Sequence, residues 1–384
     1  TGGSITVNSG AGNDIVSTTQ AIIAAQNFNG GAGTDILRIS DAANSTTQAL
    51  TVADGTFVNM SGFETVDISA AHKGDILWTL GGYSNALAAG ASNNTLGITA
   101  KAFIPAAVLD IMTINASALA SGNAVSIDVK STHAASNAAS PITLTGSSGN
   151  DTIKVEEAYN NADTVISVTG GAGNDTITVV TDSTQDGAVI VDAGAGDDTI
   201  DLTGATSDAS VGLNLITPGA GDDTLKLHAS DATLYQIVTK ATAALEGTVT
   251  VTGAFELGAA KDIYNPEAFQ VIADLSAVLT SNPGSSTDVK NDAYRLVDIT
   301  GGQDITTSAG LTTALATGGE YGNIDMTASK KAVFITAASN AADTTNHIFF
   351  ATSDSAGAIT ATKVASIAGL DIDSWDDDNV HKGI

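Results

Sequence analysis

Short runs of this 384-residue chain alternate aliphatic and polar residues and end in Gly, Asn or Asp. Thr164–Thr169 (TVISVT), Ala188–Asp192 (AVIVD) and Val211–Thr217 (VGLNLIT) have this alternation, which predicts β-strands with one buried face. Less regular runs over residues 39–145 predict further β coils with degenerate edges. We therefore expect a mainly β protein with many short strands.

The pattern changes near residue 260. Asn265 and Pro266 provide a cap and a first helical residue. The apolar residues that follow share one helical face: Phe269, Ile272, Leu275 and Leu279. We expect this helix to cover strand edges at the end of the stacked coils.

The last part of the chain, residues 291–384, is predicted to form a smaller α/β module. Its expected elements are a helix at 308–316 and strands at 294–299, 332–337, 347–352 and 360–367.

A nonapeptide repeats along the chain with the pattern G-G-x-G-x-D-x-U-x, in which U is a large aliphatic residue. Gly30–Arg38 and Gly170–Thr178 match it in full. Four further windows differ from it by one glycine: Ser9–Ser17, Gly146–Lys154, Ala193–Asp201 and Pro218–Lys226. Every window has Asp at its sixth position and Val, Ile or Leu at its eighth, so glycine abundance does not explain them. Such self-similarity predicts a solenoid.

Each position of the nonapeptide has a physical reason. Glycines at the first, second and fourth positions permit positive φ, so that carbonyl oxygens turn inward without a Cβ clash. The sixth-position carboxylate adds charge, and such hard oxygens are the ligands that calcium prefers. The eighth-position aliphatic residue begins a strand and is expected to point into the core. One turn offers about half a coordination shell, so two stacked turns must share each ion.

The sixth-position aspartates recur at nearly constant intervals. The intervals are 24, 23 and 25 residues along the series Asp151, Asp175, Asp198 and Asp223, and 21 residues from Asp14 to Asp35. A solenoid with two such turns per coil needs about 18 residues per coil. The sequence therefore predicts a right-handed parallel β-helix or β-roll with calcium along one edge. Three ions are expected between the four turns of the series, and a fourth between Asp14 and Asp35.

Composition narrows the class of function. Forty-two acidic and 14 basic residues give a formal charge of −28, which disfavours nucleic acid and anionic membranes as partners and favours divalent cations. The hydrophobic content of 43% excludes intrinsic disorder. The absence of Cys excludes disulfides, thiolate metal sites and cysteine catalysis, so bound metal is the first candidate for adding rigidity.

No catalytic constellation is visible, and we expect no enzyme. The five histidines are scattered and none precedes Glu, so the H-E-x-x-H zinc helix is missing: His72, His133, His228, His347 and His381. Glu156 and Glu157 are adjacent and would face opposite sides of a strand. Trp78 and Trp375 are expected to anchor small local cores.

These nonapeptides resemble those of the RTX family, calcium-binding proteins exported by Gram-negative bacteria through type I secretion. The resemblance covers residues 146–226 and, more sparsely, 9–38. It implies several calcium ions, each held between neighbouring turns by backbone carbonyls and sixth-position aspartates. The implied metal-binding residues are Gly10, Gly12, Asp14, Gly30, Gly31, Ala32, Gly33, Asp35, Gly146, Ser148, Gly149, Asp151, Gly170, Gly171, Ala172, Gly173, Asp175, Ala193, Gly194, Ala195, Gly196, Asp198, Gly219, Gly221 and Asp223.

Two acidic segments fit the pattern less well. Gly62-Phe63-Glu64-Thr65-Val66 has Gly, an acid and an aliphatic residue at the fourth, sixth and eighth positions, but Phe63 replaces a polar residue. This favours a corner plugged by an aromatic side chain over a calcium site. The Asp-rich segment 371–378 is interpreted as a solvated tail in preference to one more calcium site.

The predicted organisation has four parts: an irregular β-helix with the first turns (1–145), a calcium-binding β-roll (146–260), a capping helix or linker (261–290) and an α/β module carrying a type I secretion signal (291–384). The resemblance is strongest to RTX surface-layer proteins, which implies an extracellular structural protein that assembles into a lattice on the cell surface. Lipopolysaccharide or a surface glycan is a possible anchor, and the type I exporter a partner during secretion. The residues at the start of the sequence contain no charged-then-apolar secretion leader.

The alternative hypothesis is the carboxyl-terminal calcium-folding and export module of a large RTX adhesin. A third is the calcium module of a secreted hydrolase, which the missing catalytic residues disfavour.

Overall fold

The computed structural model describes residues 5–40, 49–72, 74–104, 111–133, 141–157, 165–181, 187–205, 214–228, 235–239, 249–253, 263–266, 287–288, 293–298, 305–316, 324–325, 331–337 and 345–368. Asn265 and Pro266, predicted as the cap and first residue of a helix, instead end a strand (Ile263–Pro266), so the helix does not begin there. The rest of that predicted helix and the acidic segment 371–378 lie outside these ranges. Contacts between Cα atoms divide the chain into two compact units, Thr1–Leu215 and Ile216–Ile384. The boundary between them falls within the segment predicted as β-roll.

The first unit consists of short strands with a few helical turns. Its strands are β1 (Thr6–Asn8), β2 (Ile15–Thr19), β3 (Asn27–Asn29), β4 (Ile36–Ser40), β5 (Leu50–Val52), β6 (Met60–Ser61), β7 (Thr65–His72), β8 (Ile76–Thr79), β9 (Thr95–Ile104), β10 (Met112–Asn115), β11 (Ala124–His133), β12 (Ile142–Thr145), β13 (Thr152–Glu157), β14 (Ile166–Ala172), β15 (Thr176–Val180), β16 (Val189–Ala195) and β17 (Thr199–Gly204). Its helices are α1 (Gln20–Ile23) and α2 (Ser84–Gly90), with 3-10 turns at Asp54–Phe57 and Ser92–Asn94. Strand β18 (Asn214–Thr217) includes the boundary between the units.

Strands of the first unit stack in two long parallel sheets. One has the order β2-β4-β7-β9-β11-β13-β15-β17 and the other the order β5-β8-β10-β12-β14-β16. A third, short sheet has the order β1-β3-β6. From β7 onward the chain alternates between the two long sheets, so each circuit adds one strand beside the previous one. This confirms the predicted parallel β-helix.

The eighth-position residues form a continuous buried column in the first long sheet, as the sequence predicts. Pairing of Ile153 with Ile177 and of Ile177 with Ile200 shows that the column keeps its register. The column consists of Val16, Leu37, Val66, Ile98, Ile127, Ile153, Ile177 and Ile200, each at most 9% exposed. Alternation of buried and outward residues along each strand produces this arrangement. Trp78 is buried and stacks on Phe57, which confirms its predicted role as a local core anchor.

The second unit contains the elements predicted for the α/β module together with further strands. In chain order they are β19 (Thr224–Lys226), β20 (Tyr235–Thr239), β21 (Val249–Thr252), β22 (Ile263–Pro266), β23 (Thr287–Asp288), β24 (Ala293–Asp298), α3 (Ser308–Leu315), β25 (Ile324–Asp325), β26 (Lys331–Ala337), β27 (Thr345–Ser353) and β28 (Ile359–Ala368). Strands β24, β26, β27 and β28 and helix α3 lie where the sequence placed them, to within two residues.

One sheet of this unit has the order β19-β21-β28-β27-β26-β24. Strand β28 pairs in parallel with β21 and antiparallel with β27, and so covers the edge of β21. Helix α3 packs on this sheet through Leu311 and Leu315, which contribute with Phe334 and Phe349 to a buried cluster. Thr307 accepts a hydrogen bond from the Gly310 N–H at 3.1 Å and so caps the helix.

Candidate metal centre

The nonapeptide turns of the first unit stack in two groups, and each turn leads into a strand of the first long sheet. Ile15 pairs with Ile36, so Asp14 lies beside Asp35. Pairing of Thr152 with Thr176, and of Thr176 with Thr199, aligns Asp151, Asp175 and Asp198 in the same way. We call this set of residues, at the sixth position of every coil, the position-six column. Along the sheet it consists of Asp14, Asp35, Glu64, Leu96, Val125, Asp151, Asp175 and Asp198.

A chain of hydrogen bonds connects the acidic residues of this column. The backbone N–H of Asp14 donates to Asp35 Oδ1 at 2.8 Å. The N–H groups of Asp151 and Asp175 donate to Oδ1 of the next aspartate, in each case at 2.7 Å. Each of these carboxylates is therefore fixed by the turn before it through one of its two oxygens.

The second carboxylate oxygen, Oδ2, is buried and has no hydrogen-bond partner in Asp14, Asp35 and Asp175. Asp35 and Asp175 are 0% and 1% exposed as whole residues. A buried carboxylate oxygen without a donor is strongly destabilising unless the group is protonated or a cation lies beside it. The turns thus present buried negative charge without compensation from the protein itself.

Burial changes the protonation of these groups. Burial, together with the smaller effect of the charges of Asp151 and Asp198, raises the pKa of Asp175 to about 8, against the opposing effect of the Asp151 N–H. Burial likewise raises the pKa of Asp198 to about 6. Without a cation, Asp175 and Asp198 therefore retain protons at pH values where ordinary aspartates are ionised.

Glycine at the second and fourth positions is required by backbone conformation and by close stacking. Gly171 has φ of +125°, and a Cβ added to it would lie 2.0 Å from the Ser147 carbonyl oxygen. Gly194 has φ of +106°, and its added Cβ would lie 2.0 Å from the Gly171 carbonyl oxygen. The remaining glycines at these two positions with positive φ are Gly10, Gly12, Gly31, Gly33, Gly173, Gly196, Gly219 and Gly221.

The prediction of positive φ is wrong for the first position, and also for the fourth-position residue Gly149. Gly30, Gly146 and Gly170 do not adopt positive φ. The first position instead needs a small residue because oxygens crowd its Cα atom. A Cβ added to Gly170 would lie 2.3 Å from the Ala193 carbonyl oxygen and 2.4 Å from Asp175 Oδ2.

The same convergence of oxygens occurs one coil earlier. A Cβ added to Gly146 would lie 2.2 Å from the Gly170 carbonyl oxygen and 2.4 Å from Asp151 Oδ2. A sixth-position carboxylate and a first-position carbonyl of the next turn thus meet in each of these coils. The other predicted ligands of this unit, Ala32, Ser148, Ala172 and Ala195, lie in the same turns. Gly219, Gly221 and Asp223 lie in the turn of the second unit, where Asp223 is 1% exposed.

Serine side chains distinguish two of the turns. Ser147 stands where other turns have Gly, and its Oγ lies 2.9 Å from the Asn123 carbonyl oxygen and 2.8 Å from Asp151 Oδ1. Its N–H donates to Asp151 Oδ2, so both oxygens of Asp151 have protein partners. Ser9, at the first position of its turn, donates through Oγ to the Gly30 carbonyl oxygen.

A second chain of side-chain hydrogen bonds, at the fifth position, was not predicted. The N–H of Thr34 donates to Asn13 Oδ1 at 3.0 Å. Asn150 Oδ1 accepts from Asn174 N–H at 2.9 Å, and Asn174 Oδ1 accepts from Asp197 N–H at 3.0 Å. The recurrence of Asn just before the sixth-position Asp is the sequence feature that could have revealed it.

The structure also locates the remaining candidates. Glu156 forms ion pairs with Lys130 and Lys154, whereas Glu157 is buried, so the two point to opposite sides as predicted. His347 Nδ1 lies 3.0 Å from Ser366 Oγ. The backbone N–H of His228 donates to the Tyr235 hydroxyl at 3.1 Å. The side chains of His72 and His133, together with His381 and Trp375, lie outside what the structure describes.

No protein-family model, curated protein or solved structure matches this chain. Within the described ranges, no helix is long and apolar enough to cross a membrane. In the same ranges, no group of three or more His, Asp or Glu side chains is placed to hold a metal ion.

Proposed function

We propose that the stacked turns bind calcium and that the chain is a structural, calcium-dependent protein that assembles on the cell surface, of the RTX surface-layer type that it resembles. The observation that carries this proposal is the buried, unpartnered carboxylate oxygen of Asp175, together with those of Asp14 and Asp35. Calcium bound between turns would supply the missing positive charge.

The residues present fit a hard cation that takes oxygen ligands. Asp151 Oδ2 lies close to the Gly170 carbonyl oxygen, and Asp175 Oδ2 close to that of Ala193, because each pair crowds the same glycine. Calcium accepts six to eight such oxygens in flexible geometry. These carboxylates and first-position carbonyls would hold the ion, while the glycines allow neighbouring turns to approach.

Calcium would also control where the chain folds. A net charge of −28 opposes compaction until cations neutralise the turns. Extracellular modules bind calcium at about 10⁻⁴ to 10⁻³ M, far above cytosolic concentrations. The calcium-binding turns of such a chain would stay unordered during passage through a type I exporter and would fold outside the cell.

Assembly into a lattice would use acidic groups on the surface. Asp192 and Asp197 are exposed in the first unit. Cations that screen or bridge such groups allow negatively charged copies to pack side by side. Contacts repeated in two directions give an open sheet, which suits a surface coat anchored to lipopolysaccharide or a glycan.

The calcium part of the proposal is tested by titrating calcium chloride while folding is followed by circular dichroism. We expect a β signal to develop over the millimolar range and to be weakened in D175N. The matched control is D128N, which removes one exposed carboxylate and should behave like the wild type. An equal β signal in chelator and in calcium would overturn calcium-dependent folding.

Assembly is tested by light scattering and electron microscopy of the folded protein in calcium. Ordered two-dimensional arrays would support the surface-layer function. A protein that binds calcium and folds but stays monomeric at every concentration would contradict it and favour the adhesin module.

A further inference from the structure

Glu64 belongs to the acidic part of the position-six column although it lies outside every nonapeptide window. Ile36 of β4 pairs with Thr65 of β7, which places Glu64 beside Asp35. The backbone N–H of Asp35 donates to Glu64 Oε2 at 2.6 Å. This is the same bond that Asp151 N–H makes with Asp175 and Asp175 N–H makes with Asp198.

The corner that ends in Glu64 is shortened. Gly146 N–H donates to the Thr169 carbonyl, which makes Gly170 the counterpart of Gly146 in the next coil. Gly30 N–H donates to the Ser61 carbonyl in the same way, so Gly62 is the counterpart of Gly30. Regular turns take five steps from the first position to the sixth, whereas this corner takes two, from Gly62 to Glu64. The additional methylene of Glu relative to Asp lets the carboxylate reach the column from the shorter corner.

The Gly62 carbonyl oxygen approaches Gly30 at this corner as a first-position carbonyl does between regular turns. The Cβ position that Gly30 lacks lies 1.9 Å from the Gly62 carbonyl oxygen and 2.7 Å from Asp35 Cβ. In the regular coil, the corresponding position at Gly146 lies next to the Gly170 carbonyl and the Asp151 carboxylate. Gly62 has φ of +64°, and Phe63 is fully buried beneath the corner, as predicted for an aromatic plug.

Asp35 provides independent evidence that this corner binds a ligand. It is 0% exposed, and its Oδ2 is buried without a hydrogen-bond partner. Its other oxygen is already used by the Asp14 N–H. In two regular coils, Oδ2 of Asp151 and Oδ2 of Asp175 lie near the first-position carbonyl of the following turn. For Asp35, that following corner is the one formed by Gly62 and Glu64.

We propose that Asp35, Glu64 and the Gly62 carbonyl form an additional calcium site at a corner without the nonapeptide. The site rests on the proposed calcium binding of the regular turns and extends it. Asp35 would then serve two ions, one shared with Asp14 and one with Glu64, whereas Asp14 would serve one.

The test counts calcium ions per chain by native mass spectrometry in calcium chloride. E64Q keeps an oxygen that can accept the Asp35 N–H but removes the charge, and we expect it to bind one ion fewer than the wild type. D128N removes an exposed carboxylate and should bind the wild-type number. Circular dichroism in saturating calcium checks that each variant has the wild-type fold.

A second pair of variants does not depend on Glu64. D35N should lose two ions and D14N one, because only Asp35 is shared between two sites. If E64Q binds the wild-type number, or if D35N and D14N lose the same number, the additional site does not exist. Wild-type protein that binds no calcium would instead remove both the site and the proposed function. A loss of ions in D175N but not in E64Q would leave the function intact and reject this site alone.

Discussion

Two corners of the β-helix, Gly170–Asp175 and Leu80–Leu96, connect the same two sheets but are stabilised in different ways. Leu80 N–H donates to the Asn115 carbonyl, and Ala116 N–H to the Thr145 carbonyl, so Leu80 corresponds by stacking to the first position of the regular turns. Gly170–Asp175 joins the two long sheets with six residues and ends in a buried carboxylate. Leu80–Leu96 makes the same connection with seventeen residues, includes helix α2, and ends in a buried leucine.

The contrast extends to the carboxylates of the two corners. Asp54 receives hydrogen bonds from Gly81 N–H at 2.8 Å, Tyr83 N–H at 3.0 Å, and the N–H and hydroxyl of Ser84 at 2.9 and 2.7 Å. Burial alone would raise its pKa, but these bonds together lower it below the usual value. The Asp175 carboxylate has one such donor, the Asp151 N–H, and burial raises its pKa to about 8.

Parallel stacking of strands is therefore compatible with two kinds of corner. One kind has its own apolar core and internal hydrogen bonds, and it needs nothing from outside the chain. The other kind leaves negative charge buried and depends on a cation or on protons.

Removal of calcium is expected to produce the largest difference between the two corners. In chelator, amide hydrogens of β15 and β17 should exchange at least about tenfold faster than in calcium, because their turns carry uncompensated charge. Amides of β8 and β10, next to the apolar corner, should change much less. Hydrogen exchange with mass spectrometry measures both regions in one sample, and equal acceleration of both would contradict the distinction.

Acidification should partly replace calcium. The pKa of Asp175 is raised in the folded chain from 3.8 to about 8, so folding takes up a proton within this window. In chelator, stability should therefore fall as the pH rises from about 4 to 8. Urea unfolding at several pH values measures this slope, which should be smaller in D175N. A calcium-free protein that becomes more stable toward pH 8 would show that burial does not control this group.

The sequence identified the regular corners better than the irregular ones, for a physical reason. Aspartate at the sixth position and an aliphatic residue at the eighth recur because every stacked turn needs them, so their column could be predicted. Glu64 was assigned to a plugged corner because Phe63 stands where the nonapeptides have a polar residue. The three residues missing from this corner became visible only from the strand register. Helix α2 was not predicted, since the carboxylate that caps it, Asp54, is about thirty residues away in sequence.

Truncation of the apolar corner should destabilise the protein whether calcium is present or not. Leu87 of α2 is 1% exposed, and L87A is expected to lower the free energy of unfolding by about 2–5 kcal/mol. The control is I22A, which truncates a 47% exposed aliphatic side chain in α1 and should change it by less than about 0.5 kcal/mol. Urea unfolding of both variants in calcium and in chelator measures whether the loss of stability depends on calcium. A loss in L87A that disappears in chelator would mean that this corner also depends on the cation.

The smallest expected effect is at Asp54, whose hydrogen bonds position the start of α2. D54A should lower the free energy of unfolding by about 1–2 kcal/mol, because the N–H groups of Gly81, Tyr83 and Ser84 lose their acceptor. The pKa of Asp54 is lowered in the folded chain, so its contribution is present above pH 3.8 and is lost as the pH falls through the lowered pKa. This pH dependence is opposite in sign to that of Asp175, and it should persist in calcium because the Asp54 carboxylate is already satisfied by the protein. Urea unfolding of D54A and of D128A, in which an exposed carboxylate is removed, provides the measurement. If D54A changed the number of bound calcium ions, Asp54 would belong with the acidic column and the two kinds of corner would not be independent.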